Sequence, residues 1–302
     1  MGRIACCASR LSALFLYTPV PTHEAPPFAE ARASGRYNAG MERAVTYISY
    51  LKVDELLSLQ QPRSDGPEHD EMLFIVIHQV YELWFKELLH ELDRVRALLD
   101  VNDGHRAQHT LKRTLTILKV LVAQLDVLET MTPLEFQSFR DRLEQASGFQ
   151  SDQFRQLEFV LGRRSTAALD RFPAGSRARA ALTMRLHQPS LWHAVLAYLQ
   201  REGYAVPEAS LDADPLDPVK PSEALQDVLI QVYKTDAKNS EMCERLVDLD
   251  EGVQEWRYRH MKMVERTIGV KPGTGGSAGA AYLRTTLLQP AFPDLWAIRA
   301  RL

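Results

Sequence analysis

Residues 71–99 read EMLFIVIHQVYELWFKELLHELDRVRALL. Leu73, Ile77, Val80, Trp84, Leu88, Leu92, Val95 and Leu99 recur there at intervals of three and four. That period lays apolar side chains along one face of an α-helix. Glu82, Lys86, His90, Glu91 and Arg94 fall on the other side and predict a solvated face. A helix this long must bury its apolar stripe against other helices, so the segment sets the expectation for the fold, an all-α bundle.

The same pattern continues on the C-terminal side. A second helix is predicted over residues 106–128, with Leu111, Leu115, Leu118, Leu121, Leu125 and Leu128 inward. Thr132-Pro133-Leu134-Glu135 is a helix start, because Thr132 can cap, Glu135 can reach back, and proline loses nothing at the first helical position. That helix is expected to end near Gly148, with Ser151 capping the next one. Helical pieces follow around 176–202, then a Pro- and Asp-rich connector over 205–222, then helices at about 222–236 and 239–268. Gly269 to Gly279 reads as a flexible loop, and a last helical stretch lies between Pro293 and Leu302. No alternating strand pattern of useful length and no internal repeat is present. Upstream, Leu11 to Tyr17 is a short apolar stretch preceded by Arg3 and Arg10 and followed by Pro/Ala-rich sequence without a clear cleavage motif. Residues 1–40 are therefore read as a disordered extension, and residues 41–302, from Met41, as one helical domain.

Composition narrows the function classes. The 36 basic and 39 acidic residues are spread throughout, giving a net charge of −3 and no electrostatic footprint for nucleic acid or an anionic membrane. No apolar run after the first forty residues approaches the roughly 20 residues needed to span a bilayer. Cys6 and Cys7 are adjacent and Cys243 lies in an amphipathic stretch, so no disulfide framework is implied. Without a C-x-x-C-H motif, any heme would be held without covalent links.

Most of the nine histidines lie in polar segments or on solvated faces. A di-iron bundle needs two Glu-x-x-His pairs, and only Glu87 to His90 matches, on a charged face. No H-E-x-x-H zinc motif occurs. His78 is different, since it interrupts the most apolar part of its helix one turn after Phe74. So is His260, in line with Leu249, Val253, Trp256, Met263 and Val264. A histidine on an apolar face is more often a satisfied core residue than a ligand. A neutral imidazole in an apolar pocket is also what ligation of heme iron requires, and spacing alone leaves both readings open. Arg140, framed by Phe136 and Phe139, could clamp a carboxylate with two N–H groups or pair with an acid on the surface; spacing favours the surface. Gly273-Thr-Gly-Gly-Ser-Ala-Gly279 lacks the lysine of a phosphate loop and suits a flap over a small ligand, or a plain linker.

Taken together, several stretches resemble the tryptophan 2,3-dioxygenase family: YISYLKVDELL (47–57), HDEMLFIVIHQVYELWFK (69–86), Phe139-Arg-Asp, SGFQS (147–151), RHMKMVERTIG (259–269), GTGGS (273–277) and FPDLW (292–296). They occur in family order across about residues 41–302. The resemblance implies a helical bundle built around a buried heme b, one per subunit and non-covalent, with a flexible Gly-rich active-site loop. His260 matches the axial ligand of the heme iron and His78 the distal histidine facing the indole N–H. Arg140 matches the arginine on the substrate carboxylate, Thr274 a residue at the amino-acid end, and Phe74 a wall of the indole pocket. Ser147 matches a serine at the heme edge. Trp256, one turn before His260, is counted with the cofactor residues. Phe136 stands where some relatives carry tyrosine, so only packing against the substrate is expected of it. Tyr47 and Tyr50 match tyrosines that reach a neighbouring subunit's active site in a homotetramer.

The implied activity is insertion of both atoms of O2 into the pyrrole ring of L-tryptophan, giving N-formylkynurenine, the first step of tryptophan catabolism by the kynurenine route, in the cytoplasm. One rival keeps fold and heme but inserts a single oxygen. Another is a non-catalytic heme sensor, against which Arg140 and Thr274 count. A third is a helical scaffold without heme.

Overall fold

The structure, a computed structural model, describes residues 44–66, 68–214, 216–217, 219–274 and 279–302. The expectations for residues 1–40, for a start at Met41 and for the centre of the Gly-rich loop lie outside these residues. The chain divides into two units, residues 1–53 and 54–302. Described residues of the first form a short helix, α1 (Tyr47–Leu51). Thr46 Oγ1 accepts from the Ser49 amide while Ser49 Oγ accepts from the Thr46 amide, a reciprocal cap that satisfies two otherwise orphaned donors. No residue of α1 is buried. Helix α2 (Val53–Leu57) follows at the boundary.

The second unit is built on two helices of more than thirty residues, α3 (Asp70–Asp100) and α11 (Ala237–Ile268). Between them run α4 (Gly104–Leu128), α5 (Pro133–Arg140), α6 (Asp152–Val160), α7 (Arg177–His187), α8 (Leu191–Arg201), α9 (Glu208–Leu211) and α10 (Glu223–Thr235). Helices α12 (Ala280–Thr285) and α13 (Pro293–Ala297) close the chain. No strand occurs among the described residues, as the apolar period predicts. Helix α4 packs between α3 and α11, α6 and α8 cover α3, and α10 and α12 lie on α11.

The core lies where these faces meet. Leu88, Leu92, Val95 and Leu99 from α3 interlock with Leu111, Leu118, Leu121 and Leu125 from α4 and Leu246, Leu249 and Val253 from α11. Each such side chain contributes roughly 1.5–3 kcal/mol on burial. Helices α4 and α11 approach closely at Gly252, where a Cβ would lie 2.7 Å from Leu118 Cδ2. At the start of α4, Gly104 leaves room for the buried Tyr198 hydroxyl, which donates to Asn239 Oδ1 at 2.9 Å.

The predicted caps form. Thr132 Oγ1 accepts from the Glu135 amide and Glu135 Oε2 from the Thr132 amide, and Ser151 Oγ caps α6 through the Phe154 amide. Helix α5, however, stops at Arg140, well before Gly148. Glu144 has φ +50°, which an L-residue adopts only outside a helix, and residues 148–150 make a separate 3₁₀ turn capped by Ser147. The face of α3 read as solvated is also interrupted: Glu91 is buried, where it accepts from Arg113 of α4 at 2.7 Å.

The chain after α12 is tied to α11 by one buried carboxylate. Asp250 Oδ2 accepts from the amides of Ala291 and Phe292 and from Trp296 Nε1, while Oδ1 accepts from Gln254. That is the structural task of the FPDLW stretch, and it steadies α11 upstream of His260.

Candidate active site

A cavity of about 230 Å³ lies between α3, α6 and α11. Helical periodicity supplies its walls. On α3, Phe74, His78, Tyr81 and Phe85 are spaced at three and four and share one stripe; on α11, Trp256, His260, Met263 and Thr267 do the same. Phe154, Arg155 and Glu158 come from α6, Phe136 from α5, and Ser147, Gly148 and Phe149 from the turn between those helices. Gly273 and Thr274 form the rim on the side of the Gly-rich loop.

The two histidines that looked unusual in sequence face this one cavity. His78 Nδ1 lies 2.7 Å from the carbonyl of Phe74. A carbonyl only accepts, so Nδ1 carries the proton and Nε2 of the neutral ring keeps its lone pair. Its ring packs on Phe74 at 4.1 Å between centroids. Burial holds the His78 pKa below the ordinary histidine range, against opposing contributions from the Phe74 carbonyl and Glu82. His260 is pushed down to about 4, chiefly by burial and then by the nearby His78 and Arg257. Both imidazoles are therefore neutral at pH 7. The surface His260 retains is cavity wall, and no described protein group hydrogen-bonds either of its ring nitrogens. Trp256 stacks on it, with centroids 5.0 Å apart and planes within 6°.

Glu82, read as part of a solvated face, lines the cavity, and three further charged residues there were not singled out from the sequence. Glu158 accepts from Arg155 at 2.5 Å and from Arg257, and all three side chains are nearly buried. Together they carry one net positive charge. The Nε groups of Arg155 and Arg257 have no hydrogen-bond partner among the described residues. The available signal was Arg257 itself, three residues before His260 and thus on its face of the helix. Tyr81 is another: its hydroxyl donates to the Leu121 carbonyl at 2.7 Å, and burial pushes its phenol up to about 12.

Phe74, Phe136, Ser147, Trp256, Thr274 and the two histidines thus share one cavity. Arg140 stands beside it, in a polar pocket formed with Gln137, Asp141, Glu144, Gly273 and Thr274. Its guanidinium donates to the Pro272 carbonyl at 2.6 Å, and Thr274 Oγ1 donates to the Ala146 carbonyl at 2.5 Å. Gly273 and Thr274 line both spaces. Tyr47 and Tyr50 belong to the other unit, on α1.

A family model described as tryptophan 2,3-dioxygenase matches residues 33–203 and 221–302. The chain belongs to the tryptophan 2,3-dioxygenase family. Tryptophan 2,3-dioxygenase of Herpetosiphon aurantiacus is 60 % identical over 262 residues, spanning 87 % of this chain and all of that protein. The enzyme of that name from Anaeromyxobacter sp. (strain K) is 59 % identical over 259 residues, 86 % of this chain and 97 % of its own. That of Caulobacter vibrioides is 43 % identical over 265 residues, 87 % of this chain and all of its own.

The tryptophan 2,3-dioxygenase family is heme-dependent, and the residues here fit such a group. Among the described residues no cluster of three or more His, Cys, Asp or Glu could hold a bare metal ion. A single neutral imidazole on a wall of flat aromatic rings suits a metal carried by a macrocycle. Arg155 and Arg257, which line the cavity, could meet a porphyrin's carboxylates. No described helix is long and apolar enough to cross a membrane.

Proposed function

We propose that this protein is a cytoplasmic tryptophan 2,3-dioxygenase that binds one non-covalent heme b per subunit through His260 and converts L-tryptophan and O2 to N-formylkynurenine. The observation that carries the reading is the convergence of His78 and His260, both neutral and from different helices, on one apolar cavity in a chain of this family. When bound, heme would supply the iron at which O2 is activated for insertion into the pyrrole double bond.

The protein's own work is orientation. His78 offers the Nε2 lone pair to the indole N–H, with the ring held by the Phe74 carbonyl. Its role is to fix the substrate, not to remove a proton obligatorily. Phe74 and Phe136, whose centroids are 5.8 Å apart with planes inclined by 37°, give the indole an aromatic wall, and Ser147 would meet the edge of the heme. Arg140 takes the substrate carboxylate, exchanging its contact with the Pro272 carbonyl for a stronger charge-assisted one. Thr274 completes the amino-acid end. A site that hydrogen-bonds these groups rejects analogues lacking them far better than an apolar pocket can. Water exclusion and positioning supply the catalytic advantage, since O2 adds to an already electron-rich ring. The functional unit is a homotetramer in which Tyr47 and Tyr50, carried on the unburied α1, complete a neighbouring subunit's substrate site.

The deciding experiment loads the protein with heme, reduces it anaerobically, adds L-tryptophan and O2, and follows absorbance and product mass. A Soret band and a product two oxygen atoms heavier than tryptophan are expected. A product one oxygen heavier would make it a monooxygenase, and absence of heme binding would end the heme reading.

A further inference from the structure

A histidine ring turns easily about its outer torsion, whose potential is broad and two-fold. At most metal-bound histidines that freedom is removed by a hydrogen bond from the second ring nitrogen to a carboxylate, a carbonyl or water. No described protein group plays that part for His260. The ring instead lies flat on Trp256, one helical turn earlier on α11. The indole is itself held on its remaining sides. Tyr81 and Phe85 of α3 meet it edge-to-face, at 6.3 Å and 65° and at 6.1 Å and 84° between planes. Phe154 of α6 packs on it at 4.8 Å. Tyr81 is fixed in turn by the hydrogen bond to Leu121 on α4. Rigid rings therefore connect four helices to the plane of one imidazole. Such ring pairs contribute about 0.5–1.5 kcal/mol each beyond the area they bury, and here they converge on one side chain.

We propose that Trp256 is a positioning residue that sets the plane of the His260 imidazole by stacking. The inference rests on the reading of His260 as axial ligand. Its consequence is that the protein controls the angle between imidazole and cofactor through the packing of α3 and α6 against α11.

The test uses wild type and the Trp256→Phe, Trp256→Leu and Phe154→Leu variants, each loaded with heme and reduced without O2. Resonance Raman spectroscopy records the iron–imidazole stretching band, absorbance gives the heme stoichiometry, and circular dichroism gives the melting point. Wild type should show a single narrow band. Trp256→Leu, which fills space without offering a flat face, should broaden or split it, and Trp256→Phe should restore a single band. Phe154→Leu leaves the stacked pair intact but loosens the indole behind it, and should broaden the band less than Trp256→Leu. If Trp256→Leu does not fold or load heme, Phe154→Leu carries the test. A wild-type band width and frequency in Trp256→Leu, or in Phe154→Leu where that variant decides, overturns the proposal whatever the melting point. A wild-type protein that binds heme with no iron–imidazole band overturns the ligand assignment itself, and the positioning role with it.

Discussion

The imidazole of His260 is neutral because burial keeps a proton off it, and that has a consequence for the heme-free protein. The folded pKa of about 4 lies below the ordinary 6.5 of an exposed histidine. Between those values the unfolded chain binds the proton and the folded one does not, so stability rises with pH across the window and is lost as pH falls through it. This one group should remove on the order of 3 kcal/mol between pH 6.5 and 4. Urea titrations of the heme-free protein across that range should show the slope, and His260→Asn should reduce it, leaving the share that the buried His78 contributes. Arg140 invites a different measurement. Arg140→Lys keeps the charge but loses the fork that grips both carboxylate oxygens. The KM for L-tryptophan should rise roughly tenfold or more at unchanged heme content, as loss of a charge-assisted hydrogen bond implies. An unchanged KM would place the substrate carboxylate elsewhere. Cys243, wholly buried with its thiol pushed up to about 12, should resist alkylation at pH 8 until the protein unfolds, which peptide mass mapping reads directly.

Among the elements, α11 contributes most, since it carries Asp250, Gly252, Trp256, Arg257 and His260. Asp250→Ala would strip the acceptor from three donors in the closing segment, all of them at least partly buried. The expected loss is at least about 2 kcal/mol, read from denaturant midpoints. At the head of α4, Gly104→Ala would place a methyl carbon 2.3 Å from the Tyr198 hydroxyl oxygen, which is already engaged with Asn239. Overpacking of this kind costs about 1–3 kcal/mol and should lower the melting point by several degrees. Helix type, order and most boundaries were legible in the sequence, because an apolar period of three and four over some thirty residues has one structural solution. The early end of α5 was not. Glu144 leaves the helical region where the chain passes the Gly-rich loop, and Ala146 there accepts from Thr274, far along the sequence. Local pattern holds no record of such a long-range contact.

For the whole molecule, the same contrast separates the residues of the site. His78 and His260 were conspicuous as polar interruptions of apolar stripes, and only the fold brings those stripes to one cavity. Glu158 and the two arginines were inconspicuous, because as letters they look like any solvated helical face. Their burial follows from α6 lying across α3 with its polar edge turned to α11. Arg140, which spacing assigned to the surface, lines the polar pocket beside the cavity with its guanidinium on a backbone carbonyl. Assembly yields its own prediction. Subunits carrying Tyr47→Ala and Tyr50→Ala should be poorly active alone, as should subunits carrying His260→Ala. Mixed tetramers should regain part of the turnover, because a sound α1 then serves a sound heme site. Absence of recovery would confine each active site to a single chain.

The clasp on Asp250 also has a meaning in genetic terms. A stop codon falling between Thr274 and Ala291 would spare the codon of every residue proposed for the site. Yet the shortened product could not supply the amides of Ala291 and Phe292 or the indole of Trp296, and a bare carboxylate would be left inside the helix that carries His260. Alleles of that kind should behave as complete losses of function, and missense changes at Trp296 should resemble mild versions of them.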